Sequence, residues 1–137
     1  MTTHIADTSV AIPLVLASHD AHALVNRVLG RRRLYLAAHA AVETYAVLTR
    51  LPGDARLAAA DAVALIKDRF VGTVGPAGDP VDAVERLAAV GIAGGATYDG
   101  LVALAALSRT DATLYSRDRR ATATYNRLRV SFELITA

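Results

Sequence analysis

Apolar residues along this chain come in short continuous runs separated by stretches where they return every three or four positions, and the two spacings point to strands and helices respectively. His4-Ile5-Ala6 is such a run, and it ends at Asp7-Thr8-Ser9, where a first strand gives way to a helix cap. Asp20 opens an amphipathic stretch to about Leu29, and after the turn at residues 30–33, Leu34-Tyr35-Leu36-Ala37 reads as a second strand. A helix from about Ala40 to Arg50 follows and is ended by Pro52-Gly53, with Asp54 placed to cap the next, to about Asp68. Phe70 to Val74 is a third strand candidate, and Pro80 suits the first turn of a helix to about Val90. Beyond a Gly-rich loop at 91–96, the spacing predicts a helix over Tyr98 to Ser108 and a strand over Ala112 to Tyr115. A helix over Asp118 to Tyr125 and a last strand over Val130 to Ile135 complete the chain. Five strand candidates alternating with helices argue for a mainly parallel sheet covered by helices, because parallel neighbours need crossover connections.

Composition narrows this picture. A length of 137 residues fits one domain over the whole chain. Apolar residues make up 53% and mean hydropathy is +0.32, yet no apolar run approaches the roughly twenty positions of a membrane span. The N-terminal MTTHIADTSV lacks the basic and apolar regions of a signal peptide, so a cytoplasmic location is expected, with no membrane partner. With no cysteine, any cation must be held by oxygen or imidazole, which favours hard metals. A net charge of +2 is compatible with a polyanionic partner without demanding one. The basic residues are nearly all Arg and cluster at 31–33, at Arg117, Arg119 and Arg120, and at Arg127 and Arg129. Arg suits bidentate phosphate contact, although each cluster is equally compatible with a solvated turn.

Four acids stand apart from the rest. Asp7 follows the first strand, Glu43 lies in the nearly all-apolar stretch Ala40 to Leu48, Asp99 follows the Gly-rich loop, and Asp118 follows the fourth strand. Carboxylates at the carboxyl ends of parallel strands point into the crevice where such sheets bind ligands, and converged carboxylates repel unless a cation lies between them. Asp7, Asp99 and Asp118 each have an alternative reading as helix caps or first-turn acids. Glu43 is expected to be buried with its helix, and so to face a cation, an internal Arg or a polar cleft. By contrast Asp20, Asp54, Asp61, Asp79, Asp82, Glu85 and Asp111 adjoin no strand end and read as solvated. His19 and His22 also read as solvated surface. The apolar surplus in residues 55–66 fits a core or a protein interface equally well.

Four segments, IADTSVAIPLV, AAVETYAVLTRLP, GGATYDGLVALAAL and LYSRDRRATATY, occur in an order and at spacings that resemble the PIN domain, and more narrowly the VapC toxins of bacterial toxin–antitoxin pairs. The resemblance implies an α/β, PIN-like three-layer sandwich whose central, mainly parallel sheet of about five strands is flanked by helices. It implies a Mg²⁺- or Mn²⁺-dependent endoribonuclease cutting structured RNA such as tRNA or rRNA, which inhibits translation. Asp7, Glu43, Asp99 and Asp118 then form the metal and catalytic set, Asp7 and Asp99 as direct ligands and the other two directly or through water. Thr8 and Ser116 would support them by hydrogen bonding, and Arg117 and Arg119 would grip the RNA backbone, with residues 31–33 more remote. A cognate VapB-type antitoxin and a homodimer are the implied partners.

Competing readings fit less well. A phosphoacceptor receiver domain wants paired acids after its first strand and a Lys after its last, but the single Lys here is Lys67. A haloacid-dehalogenase-like phosphatase wants a second Asp where Ser9 stands, and the loop at 91–95 lacks a Gly-Lys-Ser/Thr ending. A PIN-like module that binds RNA or protein without cutting is the non-enzymatic alternative.

Overall fold

In the computed structural model, which describes residues 1–136, the chain runs β1 (Thr3–Ala6), α1 (Thr8–Val15), α2 (His22–Leu29), β2 (Leu34–Ala37), α3 (Ala38–Thr49), α4 (Ala59–Arg69), β3 (Thr73–Val74), α5 (Pro80–Ala89), α6 (Ala96–Leu107), β4 (Ala112–Ser116), α7 (Thr122–Leu128) and β5 (Phe132–Leu134). The sheet order is β3-β2-β1-β4-β5, and all its pairings are parallel. From β1 the chain moves outward to β2 and β3, then returns to the other side of β1 for β4 and β5. With the usual right-handed crossovers, this reversal puts α1 to α4 on one face and α5 to α7 on the other. Most helix contacts follow that division, α1 packing on α2 and α3, α3 on α4, and α6 on both α5 and α7, while α3 and α6 meet across it. The direction of winding switches between β1 and β4, and the carboxyl ends of those strands flank the crevice that such a switch opens.

Burial explains why the central strands read so clearly. Ile5 and Leu114 are paired in register, are fully buried, and join Leu34, Leu36, Val10, Val25 and Leu29 in the main core. Ala83, Leu87, Ile92 and Leu104 form a second cluster between α5 and α6. Replacing Ile5 by Ala leaves a void on the middle strand, and the expected cost is about 2–5 kcal/mol in a urea unfolding curve with unchanged slope.

Three helix starts differ from their sequence expectation, each at an Asp. Asp20 does not cap α2, which begins at His22 behind Ala21. Asp54 lies in a 3₁₀ turn over Gly53–Ala55 and caps nothing, and α4 starts only after Ala58. Gly53 at φ 59° and the Arg56 Nε bond to the Leu51 carbonyl, 2.9 Å, hold that turn away from the helix. Asp118 sits in a turn ahead of α7, which begins at Thr122. Asp79 does cap α5, in a reciprocal capping box with Asp82 and with Pro80 in the first turn. The third strand shortens at its start to Thr73–Val74 because α4 runs on to Arg69 and Phe70 caps it by bonding back to the Ile66 carbonyl.

Glu43 departs from expectation in another way. α3 is not buried all round: Val42 is 68% exposed, Tyr45 is partly exposed, and the Glu43 side chain is 45% exposed. The apolar face of α3 that meets the core is carried by Ala40, Thr44 and Leu48. In α4 only Ala62 is buried and Val63 is exposed, so most of the apolar surplus there lies on the surface. Asp20, Asp54, Asp61, Asp79, Asp82, Glu85 and Asp111 are all exposed, as their positions suggested. No helix among the described residues is long and apolar enough to cross a membrane.

Candidate active site

Asp7 directly follows β1 and caps α1. Its extended backbone, φ −89° and ψ 178°, lets Oδ1 accept from the Val10 N–H at 3.3 Å. The same Oδ1 accepts from Ser9 Oγ at 2.6 Å, and Oδ2 accepts from the Tyr125 hydroxyl at 2.8 Å. Burial pushes this carboxyl above the usual carboxylate range, against the hydroxyls of Ser116, Ser9 and Tyr125 and the Val10 N–H, which favour its charged form. Tyr125 is driven upward in turn, by its own burial and then by the Asp7 charge it serves, so it remains a donor throughout the working pH range.

Ser9 joins the first helix to the end of β4. Its Oγ donates to Asp7, accepts from the Arg117 N–H at 2.7 Å, and lies 3.4 Å from the buried Ser116 Oγ. Ser116 Oγ accepts from the Asp118 N–H at 3.1 Å, and Asp118 Oδ1 accepts from the Arg120 N–H at 2.9 Å. This succession of short-range bonds shapes the turn that presents Asp118, and it is why no helix begins there.

Asp99 lies in the first turn of α6, half-buried, and its carboxyl is raised to about 6 by burial first and then by the charges of Asp118, Asp7 and Glu43. The other three acids named from the sequence therefore lie close enough to Asp99 to act on it. All four line one cleft of about 490 Å³ together with Thr8, Ser9, His19, His39, Tyr98 and Arg117. Among the described residues no Arg or Lys side-chain nitrogen lies within 4.0 Å of an acidic side-chain oxygen, and the one imidazole within that distance is His39, with Nε2 4.0 Å from Glu43 Oε2. The acids are thus not neutralised by internal Arg partners. Nor, among the described residues, do three or more acidic or imidazole side chains form a ready-made metal cage. The donor set fits a hard cation in kind, since it is carboxylate oxygen in a cleft open to water.

Of the remaining sequence candidates, Thr8 lines the cleft, and Arg117 lines it while its Nη1 donates to the Ile135 carbonyl at 3.1 Å. Arg119 is exposed and does not line the cleft. Arg31, Arg32 and Arg33 precede β2 and so lie at the opposite, amino-terminal edge of the sheet. His19 and His22 are partly buried rather than free: His19 Nδ1 accepts from the Ala21 N–H at 3.0 Å, and His22 Nδ1 donates to the Pro13 carbonyl at 2.7 Å.

Sequence reading missed Ser9 and Tyr125 as partners of Asp7, and it missed His39 and Tyr98 as cleft residues. Ser9 could have been found, because a hydroxyl two positions after a capping Asp is well placed to reach back to it. No spacing rule joins Tyr125 to a residue 118 positions earlier. Tyr125→Phe removes a donor from a buried carboxylate, so a loss of about 1.5–3 kcal/mol is expected at neutral pH. That bond favours the ionised form of Asp7, so the loss should shrink in acid as Asp7 takes up its proton, which denaturation of both proteins across pH would read.

A PIN domain family model matches residues 5–126. Ribonuclease VapC27 of Mycobacterium tuberculosis is 47% identical over 125 residues, 90% of each chain, and ribonuclease VapC40 of the same organism is 42% identical over 136 residues, 95% of this chain and 97% of its own. Among solved structures, M. tuberculosis VapC20, described as a sarcin-ricin loop cleaving toxin, superposes with a TM-score of 0.65 at 21% identity, covering 88% of this chain and 94% of that one. PAE2754 from Pyrobaculum aerophilum gives 0.57 at 22%, covering 90% and 86%. These two likenesses bear on the fold.

Proposed function

Because the chain belongs to the PIN-domain family, as a ribonuclease of the VapC kind, we propose that its cleft hydrolyses phosphodiester bonds in structured RNA, tRNA or rRNA, with Mg²⁺ or Mn²⁺ held by its four carboxylates. The observation that carries this reading is the assembly of Asp7, Glu43, Asp99 and Asp118, from four separate segments, in one cleft without a Lys or Arg counter-charge within 4.0 Å among the described residues. Asp7 and Asp99 are the direct ligands in this proposal, with Glu43 and Asp118 completing the set directly or through water. When bound, the cation supplies an activated water and offsets charge on the phosphate during in-line attack.

The protein's own residues hold and orient. Tyr125 and Ser9 donate to Asp7 and fix the orientation of its carboxylate. Ser116 fixes the turn of Asp118 by accepting its N–H, and Thr8 supports the same wall. Arg117 and Arg119 flank Asp118 and would hold the RNA backbone near the cut, a contact whose loss should chiefly weaken binding and its salt dependence. The amino-terminal Arg cluster takes no part in the cut.

On the same reading the protein inhibits translation in the cytoplasm, is neutralised by a VapB-type antitoxin and assembles as a homodimer. Exposed Val42, Tyr45 and Val63 on the packed pair α3 and α4 offer apolar surface to a protein partner. The test is incubation of total tRNA and rRNA with purified, antitoxin-free protein in Mg²⁺, in Mn²⁺ and in EDTA. Discrete cuts dependent on metal are the expected result. RNA binding without cutting by folded, metal-loaded protein would instead assign the chain as a binding module.

A further inference from the structure

Two rings on the cleft wall have no role in holding a cation. His39 is in the first turn of α3 and Tyr98 in the first turn of α6, two helices that belong to opposite faces of the sheet yet pack together. The rings lie parallel to within 17° with centroids 5.0 Å apart, an offset stack. Both line the cleft, each beside a proposed metal ligand: Tyr98 directly precedes Asp99, and His39 Nε2 is 4.0 Å from Glu43.

Tyr98 is 55% exposed, although α6 buries Gly100 and every residue from Val102 to Ala106. A large ring left this open at the mouth of a polar cleft gains little for the fold. His39 covers one side of it, which fixes its plane and leaves aromatic surface facing solvent within one residue of Asp99. Unpaired RNA bases are recognised by stacking on such rings, and the interaction tolerates any base because every base has a π-face.

We propose that the His39–Tyr98 stack is a base platform, on which an unpaired base next to the scissile phosphate stacks against Tyr98 and sets where along the RNA the cut falls. Tyr98 makes the contact and His39 is a positioning residue behind it. The proposal rests on the ribonuclease reading and deepens it: it selects RNA in which the nucleotide at the cut is unstacked, as in a loop or bulge.

The test uses a single-stranded, uridine-flanked oligonucleotide with 2-aminopurine at an internal position, bound to protein carrying Asp7→Asn so that it is not cut. Binding is followed by anisotropy and stacking by quenching of the 2-aminopurine fluorescence. Quenching is expected with Tyr98 and with Tyr98→Phe, and its loss with Tyr98→Leu, which keeps apolar bulk at the α3–α6 contact but has no ring. In the cutting protein, Tyr98→Leu should raise KM by roughly tenfold or more and spread the cuts over neighbouring positions, with Tyr98→Phe restoring both. Quenching, KM and cut positions unchanged in Tyr98→Leu would make the stack a packing contact only and overturn the proposal. RNA binding without quenching by the protein with Tyr98 intact would overturn the platform alone, whereas no cutting of tRNA or rRNA by folded, metal-loaded protein with Asp7 intact would overturn the ribonuclease reading and the platform with it.

Discussion

Asp7→Asn is expected to lower metal-dependent RNA cleavage by at least about 100-fold while raising the melting temperature of the metal-free protein. The fall in rate is the scale reached when only an outer partner of a metal ligand is lost, and Asp7 is proposed as a ligand itself. Folding should survive because Asn is as good a helix cap as Asp: its one oxygen can take the Oδ1 position and accept from the Val10 N–H and Ser9, while its amide N–H in the Oδ2 position donates to the Tyr125 hydroxyl oxygen. The gain in stability follows from burial: Asp7 is 4% exposed and its charged form is disfavoured, a penalty that a neutral amide avoids. Cleavage rates in Mg²⁺ and melting curves in EDTA on the same preparation check both halves. A variant that loses activity by unfolding would melt lower, not higher.

Mg²⁺ is expected to stabilise the protein more above pH 6 than below it, and Asp99→Asn to abolish most of that difference. Asp99 has a folded pKa of about 6 against an ordinary 3.8, so between those values the folded protein holds a proton that the unfolded chain has released. Metal-free stability therefore falls as pH rises through that window and stays low above it. Asp118, Asp7 and Glu43 are the charges that press on Asp99, after burial, and a cation among them would reverse their effect. At a hundred times its dissociation constant Mg²⁺ would add about 2.7 kcal/mol. Asp99→Asn should stabilise the metal-free protein by about 1 kcal/mol at neutral pH, once the shift is discounted for a half-exposed group. Melting curves across pH, with and without Mg²⁺, read each of these signs. An equal Mg²⁺ response in wild type and Asp99→Asn would remove Asp99 from the ligand set.

The strands were legible because β1, β2 and β4 are short apolar runs bounded by polar turns, and β2 has the limits its sequence suggested. Helix starts were less so, since Asp20, Asp54 and Asp118 carry a residue that serves caps and tight turns equally well. Asp7, Asp99 and Asp118 could be picked out one by one, because each adjoins a strand end or a Gly-rich loop. Glu43 was placed by an argument that does not hold: it lines the cleft, but from an exposed position and not from a buried helix. The hydroxyls around Asp7 were hidden because Tyr125 looks like core in a helix of Ala, Thr and Leu, and its bond to Asp7 exists only once α7 is folded over the sheet.

The parallel sheet has a practical consequence for handling the protein. All strands point their carboxyl ends at the cleft, so Thr3, where β1 starts, lies one strand length from the chemistry, about 13 Å. Ile135 lies at the other rim, where its carbonyl is held by the Arg117 guanidinium beside Asp118. A purification tag or fluorophore joined ahead of Thr3 would leave the cleft open. The same addition after Ile135 would lie beside Arg117 and Asp118, and would act as an inhibitor if these residues meet RNA as proposed.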